Sequence, residues 1–102
     1  MIKIIVKKSN EIISEIEISG HADYADYGKD IVCAAVSSIA ITTVNAIVCF
    51  EETIDAKDNS GLLIIRVKKD TEINQKLLNN MIEELSELVS QYPKNIEIRN
   101  ED

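Results

Sequence analysis

The sequence predicts an α+β domain in which a mixed or antiparallel sheet packs against two helices, in the order ββαβαβ. Three patterns carry that prediction. Residues 2–7 and 12–18 alternate side-chain character with a period of two, residues 31–50 run without a charge, and residues 72–91 space apolar side chains at helical intervals.

Each element follows from local chemistry. Ile2, Ile4 and Val6 share one face of the first strand, with Lys3, Ile5 and Lys7 on the other. Ile12, Ile16 and Ile18 oppose Ile13, Glu15 and Glu17 in the second, and Ser9-Asn10 supplies the hairpin turn. Gly20 closes that strand, and a polar loop over 21–30 leads to the uncharged segment Ile31 to Phe50. That segment is long enough to cross a membrane. Yet Ser37, Ser38, Thr42, Thr43 and Asn45 lie inside it, and Ala34, Ala35, Ala40 and Ala46 suit close packing, so a buried central helix is expected. Residues 51–61 read as a polar connection ending in the turn Asp58-Asn59-Ser60-Gly61. A third strand follows over 62–67, with Leu63, Ile65 and Val67 on one face. Thr71 or Asp70 caps a second helix whose stripe is Ile73, Leu77, Met81, Leu85, Leu88 and Tyr92. Pro93 stops it, and Ile96 and Ile98, alternating with Glu97 and Arg99, form a last strand.

The chain of 102 residues reads as one domain, 1–102, without internal repeat, linker or low-complexity tract. Apolar residues at 45%, with only three glycines and one proline, exclude a disordered or fibrous chain. Aromatics are 4%, so the core is aliphatic and small for its length, and a homodimer would bury more apolar surface. The formal net charge of -7 repels nucleic acid and anionic lipid and favours basic partners. Cys33 and Cys49, if on one helix, lie roughly 24 Å apart by helical rise, too far to bridge. Lysines 3, 7 and 8 interrupt any signal sequence, so a reducing cytoplasm is expected.

The chemistry concentrates between residues 20 and 37. With Asp30 as N-cap, Cys33 sits in the first helical turn, where unpaired amides and the helix dipole favour a thiolate. The same amides could stabilise an oxyanion. Alternatively Cys33 is a small buried hydrophobe, the reading that fits Cys49. His21, the only histidine, is tied to Cys33 by a loop able to fold the imidazole back on the sulfur as a base. Asp30 could instead orient His21, although capping is its simpler role. Ser37, one turn beyond Cys33, lines the site or hydrogen-bonds within it. Tyr24 and Tyr27 cover the core or grip a peptide, and Gly28 offers a hinge. Asp23 and Asp26 beside His21 and Cys33 make a poor zinc signature, so neither metal nor cofactor is expected.

Gly20-His21-Ala22, Tyr27-Gly28, Asp30 through Ser37 (Asp-Ile-Val-Cys-Ala-Ala-Val-Ser) and Val44-Asn45-Ala46-Ile47 together resemble the ribosomal-processing cysteine protease Prp family, including the twelve positions from His21 to Cys33. The resemblance implies a cytoplasmic, homodimeric bacterial endopeptidase. Such enzymes remove a short N-terminal extension from a large-subunit ribosomal protein, cutting after a hydrophobic motif containing phenylalanine. It places the dyad on His21 and Cys33, other motif positions on Gly20, Asp30 and Ser37, and a mobile loop on residues 21–30. Two other readings stand beside it: a non-catalytic acidic adaptor for a basic ribosomal protein, and a cysteine hydrolase of another amide or ester.

Overall fold

The structure, a computed structural model, describes residues 1–26 and 29–101. Its elements are β1 (Ile2–Ser9), β2 (Ile12–Ser19), α1 (Ile31–Phe50), β3 (Ile54–Asn59), β4 (Leu62–Val67), α2 (Glu72–Gln91) and β5 (Ile96–Glu101). The expected order holds, with one strand added before the third. The five strands form a mixed sheet in the spatial order β3-β4-β2-β1-β5, in which only β1 and β5 pair in parallel.

The added strand is β3, which the sequence reading placed in a polar connection. Only Ile54 is buried in it, and the remaining five residues are exposed. An edge strand with both faces wet carries no period-two signal, and Asp55, Lys57 and Asp58 discourage further pairing along that edge.

A second difference lies in the hairpin. Lys7 pairs with Glu15 but Lys8 pairs with Ile13, leaving Ser14 as an extra residue whose hydroxyl donates to the Lys7 carbonyl at 3.1 Å. This β-bulge shifts the pleat by one residue. Ile13, expected on the wet face, is fully buried, and Ile12, expected in the core, is 39% exposed. The turn uses Asn10 and Glu11, both at positive φ, as a two-residue turn between right-twisted strands requires.

The core is aliphatic: Ile4, Val6, Ile16, Ile65 and Ile96 from the sheet meet Val32, Val36, Ala40 and Ile47 of α1 and Leu78, Met81 and Leu85 of α2. The other sheet face carries ion pairs, with Glu15 accepting from Lys7 at 3.0 Å and from Arg66 at 3.2 Å. In α2 the buried row is Asn74, Leu78, Met81 and Leu85, while Ile73 is exposed. The reason is the capping box: Thr71 is the N-cap and Asn74 is its reciprocal partner. The Asn74 amide also reaches Thr53 Oγ1 at 2.9 Å and the Lys69 carbonyl at 2.8 Å, so this buried polar group is satisfied.

α1 departs most from expectation. Its mean hydropathy of 2.1 and its length meet the criteria for a membrane span, yet four of its residues pack into the core of the domain. The helix is not enclosed, however. Ile31, Ile41, Val48 and Phe50 are 57%, 45%, 55% and 70% exposed, and Cys49, expected as a buried hydrophobe, is exposed too. Among the described residues, no other element covers the side of α1 that carries Ile41 and Val48.

Candidate active site

The site forms where β2 ends, α1 begins and the β3–β4 turn approaches. Gly20 makes the exit from β2 possible. Its φ of +90° is a left-handed conformation that side-chain-bearing residues rarely adopt, and a Cβ there would lie 2.5 Å from the Met1 carbonyl oxygen. Its N–H donates to the Gly61 carbonyl at 3.0 Å, which ties the loop entrance to the β3–β4 turn.

Asp30 is the N-cap of α1, as expected, and its two carboxylate oxygens divide the work. Oδ1 accepts from the Val32 and Cys33 N–H groups, each at 3.0 Å. Oδ2 accepts from the Tyr24 N–H at 3.0 Å and the Ala25 N–H at 3.3 Å. One side chain thus caps the helix and fastens the preceding loop to it. The Cys33 N–H, followed by those of Tyr24, Ala25 and Val32, holds the Asp30 carboxyl below its ordinary range despite partial desolvation. No Asp30–His21 hydrogen bond occurs among the described residues. The occupied amides also change the expectation for an oxyanion: of Ile31, Val32 and Cys33, the last two already donate to Asp30.

Cys33 is half-buried, and its Sγ accepts from the Ala22 N–H at 3.2 Å. That contact was not legible in the sequence, because a backbone donor leaves no residue-type signature. His21 is exposed, and among the described residues it makes no hydrogen bond to Cys33. The two nevertheless line one cavity of about 640 Å³. Asp30 and Ser37 also reach this cavity, and Ser37 is exposed one turn below Cys33. Its floor is apolar, from Ile18, Val36, Ala40, Ile41 and Leu63, and Asp23 and Asp58 stand at its margin. The β3–β4 contribution went unseen in the sequence because β3 itself did.

Tyr24 stays exposed while leaning on the turn after α2. Its ring packs edge-on against Tyr92, with centroids 5.4 Å apart and planes at 83°. Tyr27 and Gly28 lie outside the described residues. Asp23, at φ 56°, pairs with the N-terminal ammonium at 3.3 Å. Among the described residues, no three or more His, Cys, Asp or Glu side chains gather in a group able to hold a metal ion.

A solvent-reached cysteine at the start of a helix, with a backbone N–H on its sulfur and a histidine lining the same cavity, can perform acyl transfer. Comparison with known proteins agrees with that chemistry. The family model for the cysteine protease Prp matches residues 1–97. The chain belongs to the Prp family of cysteine proteases. The ribosomal processing cysteine protease Prp of Staphylococcus aureus is 33% identical over 90 residues, spanning 84% of this chain and 85% of the relative. That of Bacillus subtilis is 30% identical over 107 residues, covering 96% of each. A crystal structure of the S. aureus Prp protease with a covalently linked product peptide matches with a TM-score of 0.93 at 31% identity, covering 99% of this chain and 100% of that one. A second, in complex with a substrate peptide, matches with a TM-score of 0.83 at 28% identity and the same coverage. Membership in the Prp family makes this chain a ribosomal-processing cysteine protease.

Proposed function

We propose that this protease removes the short N-terminal extension of a large-subunit ribosomal protein, with Cys33 as nucleophile and His21 as its general base and acid. The observation that carries the reading is the shared cavity, which has a cysteine at the positive end of α1 and a histidine on the loop beside it. The covalently linked product peptide of the S. aureus relative supports a covalent route on a peptide substrate.

In the proposed reaction, the loop closes over the bound peptide and brings the His21 imidazole to the sulfur. His21 takes the thiol proton as Sγ attacks the scissile carbonyl, and negative charge develops on the carbonyl oxygen. Because Asp30 occupies two of the first-turn amides, that charge is stabilised by the positive end of α1 and by the Ala22 N–H already aimed at the sulfur. His21 then gives its proton to the leaving amine, and water hydrolyses the thioester. The apolar floor suits a hydrophobic segment such as one containing phenylalanine. The carboxylates at the margin, with the net charge of -7, suit a basic ribosomal protein. The proposed setting is the reducing cytoplasm, where both cysteines stay as thiols.

The test is cleavage of an extension-bearing N-terminal peptide of the same organism's ribosomal protein, read by mass spectrometry. Wild type makes one cut, Cys33→Ala makes none, and His21→Ala slows it by about 10²–10⁴-fold. A cut that survives Cys33→Ala would remove the nucleophile from this reading.

A further inference from the structure

The segment His21-Ala22 is held by no regular structure. It lies between Gly20 at φ +90° and Asp23 at φ 56°, two left-handed positions, and the strand ladder has ended before it. Its geometry therefore depends on bonds from elsewhere. One of them crosses 73 positions of sequence: the Asn95 side-chain amide donates to the Ala22 carbonyl at 2.8 Å. Ala22 is itself 1% exposed, and its N–H is the group on Cys33 Sγ.

Asn95 is well placed to serve as a fixed point. Its N–H donates to the Tyr92 carbonyl at 3.0 Å, and its own carbonyl accepts from the Ile2 N–H at 2.8 Å where β1 begins beside β5. The turn between α2 and β5 braces the loop at a second place, because the Tyr92 ring holds Tyr24. Two residues of one turn thus grip two residues of the loop that carries His21.

We infer that Asn95 is a positioning residue for the protease reaction, its amide holding Ala22 so that the Ala22 N–H stays on the Cys33 sulfur and the backbone next to His21 stays fixed. This rests on the assignment of Cys33 and His21 above. Asn95 touches no reacting atom; it acts through Ala22. Without its donor, the Ala22 carbonyl turns to find another partner, the Ala22 Cα loses its anchor, and the N–H one peptide plane away drifts from the sulfur. Misplacement of that order slows chemistry more than it weakens peptide binding, since the cavity floor is built from other elements.

The experiment uses the full chain carrying Cys49→Ser, so that iodoacetamide reports on Cys33 alone. Asn95→Asp keeps the side-chain shape but removes the N–H donor at neutral pH, Asn95→Ala removes both, and Asn95→Gln keeps the donor on a longer arm. Asn95→Asp and Asn95→Ala are expected to lower kcat by about tenfold to a hundredfold. KM should stay within about twofold, and Cys33 labelling should slow in parallel. Asn95→Gln should recover part of both losses. Wild-type kcat and labelling in folded Asn95→Asp would overturn the inference. So would a loss of activity in any of these variants that only follows the unfolded fraction seen in thermal melts. Cys33→Ala in the same assay separates the two readings: cleavage that survives it removes the nucleophile and this inference together. Cleavage lost in Cys33→Ala but untouched in Asn95→Asp removes this inference alone.

Discussion

Asp30 shows how much one residue of this site holds together. Its carboxylate accepts four backbone N–H groups, two from α1 and two from the loop, and all four favour the charged form. Its folded-state pKa therefore lies below the unfolded one. The linked stability is fully present above the ordinary aspartate value near 3.8 and is lost as pH falls through the lower folded value. Thermal melts between about pH 3 and pH 6 should show the wild-type midpoint falling at the acid end. Asp30→Asn should flatten that dependence while lowering the midpoint at neutral pH. An acid limb unchanged in Asp30→Asn would assign it to other carboxylates. Glu51, held low by the Thr53 and then the Thr71 hydroxyls, and Glu15, held low first by Lys7, are the alternative sources.

At the scale of elements, the connection between β2 and α2 shows how a side chain can stand in for a strand. Pairing of β2 with β4 runs from Glu15 to Ser19, so the outer edge of β2 near Ile13 has no strand beside it. The Gln75 side-chain amide fills that place, accepting from the Ile13 N–H and donating to the Ile13 carbonyl, each at 2.9 Å. The bulge at Ser14 and this amide act together, turning Ile13 inward and satisfying its backbone. Gln75→Ala should cost about 1–3 kcal/mol, because two backbone groups lose their partners, measurable by urea denaturation. Gln75→Glu should fare poorly as well, since a carboxylate cannot donate to the Ile13 carbonyl. A cost near zero for Gln75→Ala would mean that water replaces both bonds.

For the whole molecule, the unusual feature is an uncharged helix that shows half of itself to solvent on a chain of net charge -7. Val48 and Phe50, in the last turn of α1 and away from the cavity residues, expose apolar surface of the kind that association removes from water. We propose a homodimer formed through this end of the helix, in keeping with the small aliphatic core. Equilibrium sedimentation of the wild type should give twice the mass of the chain. Val48→Glu, far along α1 from Cys33, should give a monomer that still folds. A wild type that sediments as one chain at micromolar concentration would place the apolar face elsewhere in the protein's work.

What the sequence determined alone is what local chemistry controls. Alternation marked β1, β2, β4 and β5, the helical stripe and Pro93 bounded α2, and Asp30 three positions before Cys33 marked the start of α1. The same proximity placed His21, Asp30, Cys33 and Ser37 around one cavity, since a short loop leaves few other arrangements. Tertiary structure decided what depends on partners distant along the chain. Periodicity could not show that a bulge would exchange Ile12 for Ile13, because the extra residue appears only when the strands pair. Nor could it reveal β3, whose edge position leaves five of its six side chains in water. An uncharged run reads as buried, yet only packing shows which side of α1 is covered. The bonds from Ala22 to the sulfur and from Asn95 to Ala22 lay furthest from view. Each uses a backbone group, and a backbone donor or acceptor is the same at every residue until the fold aims it.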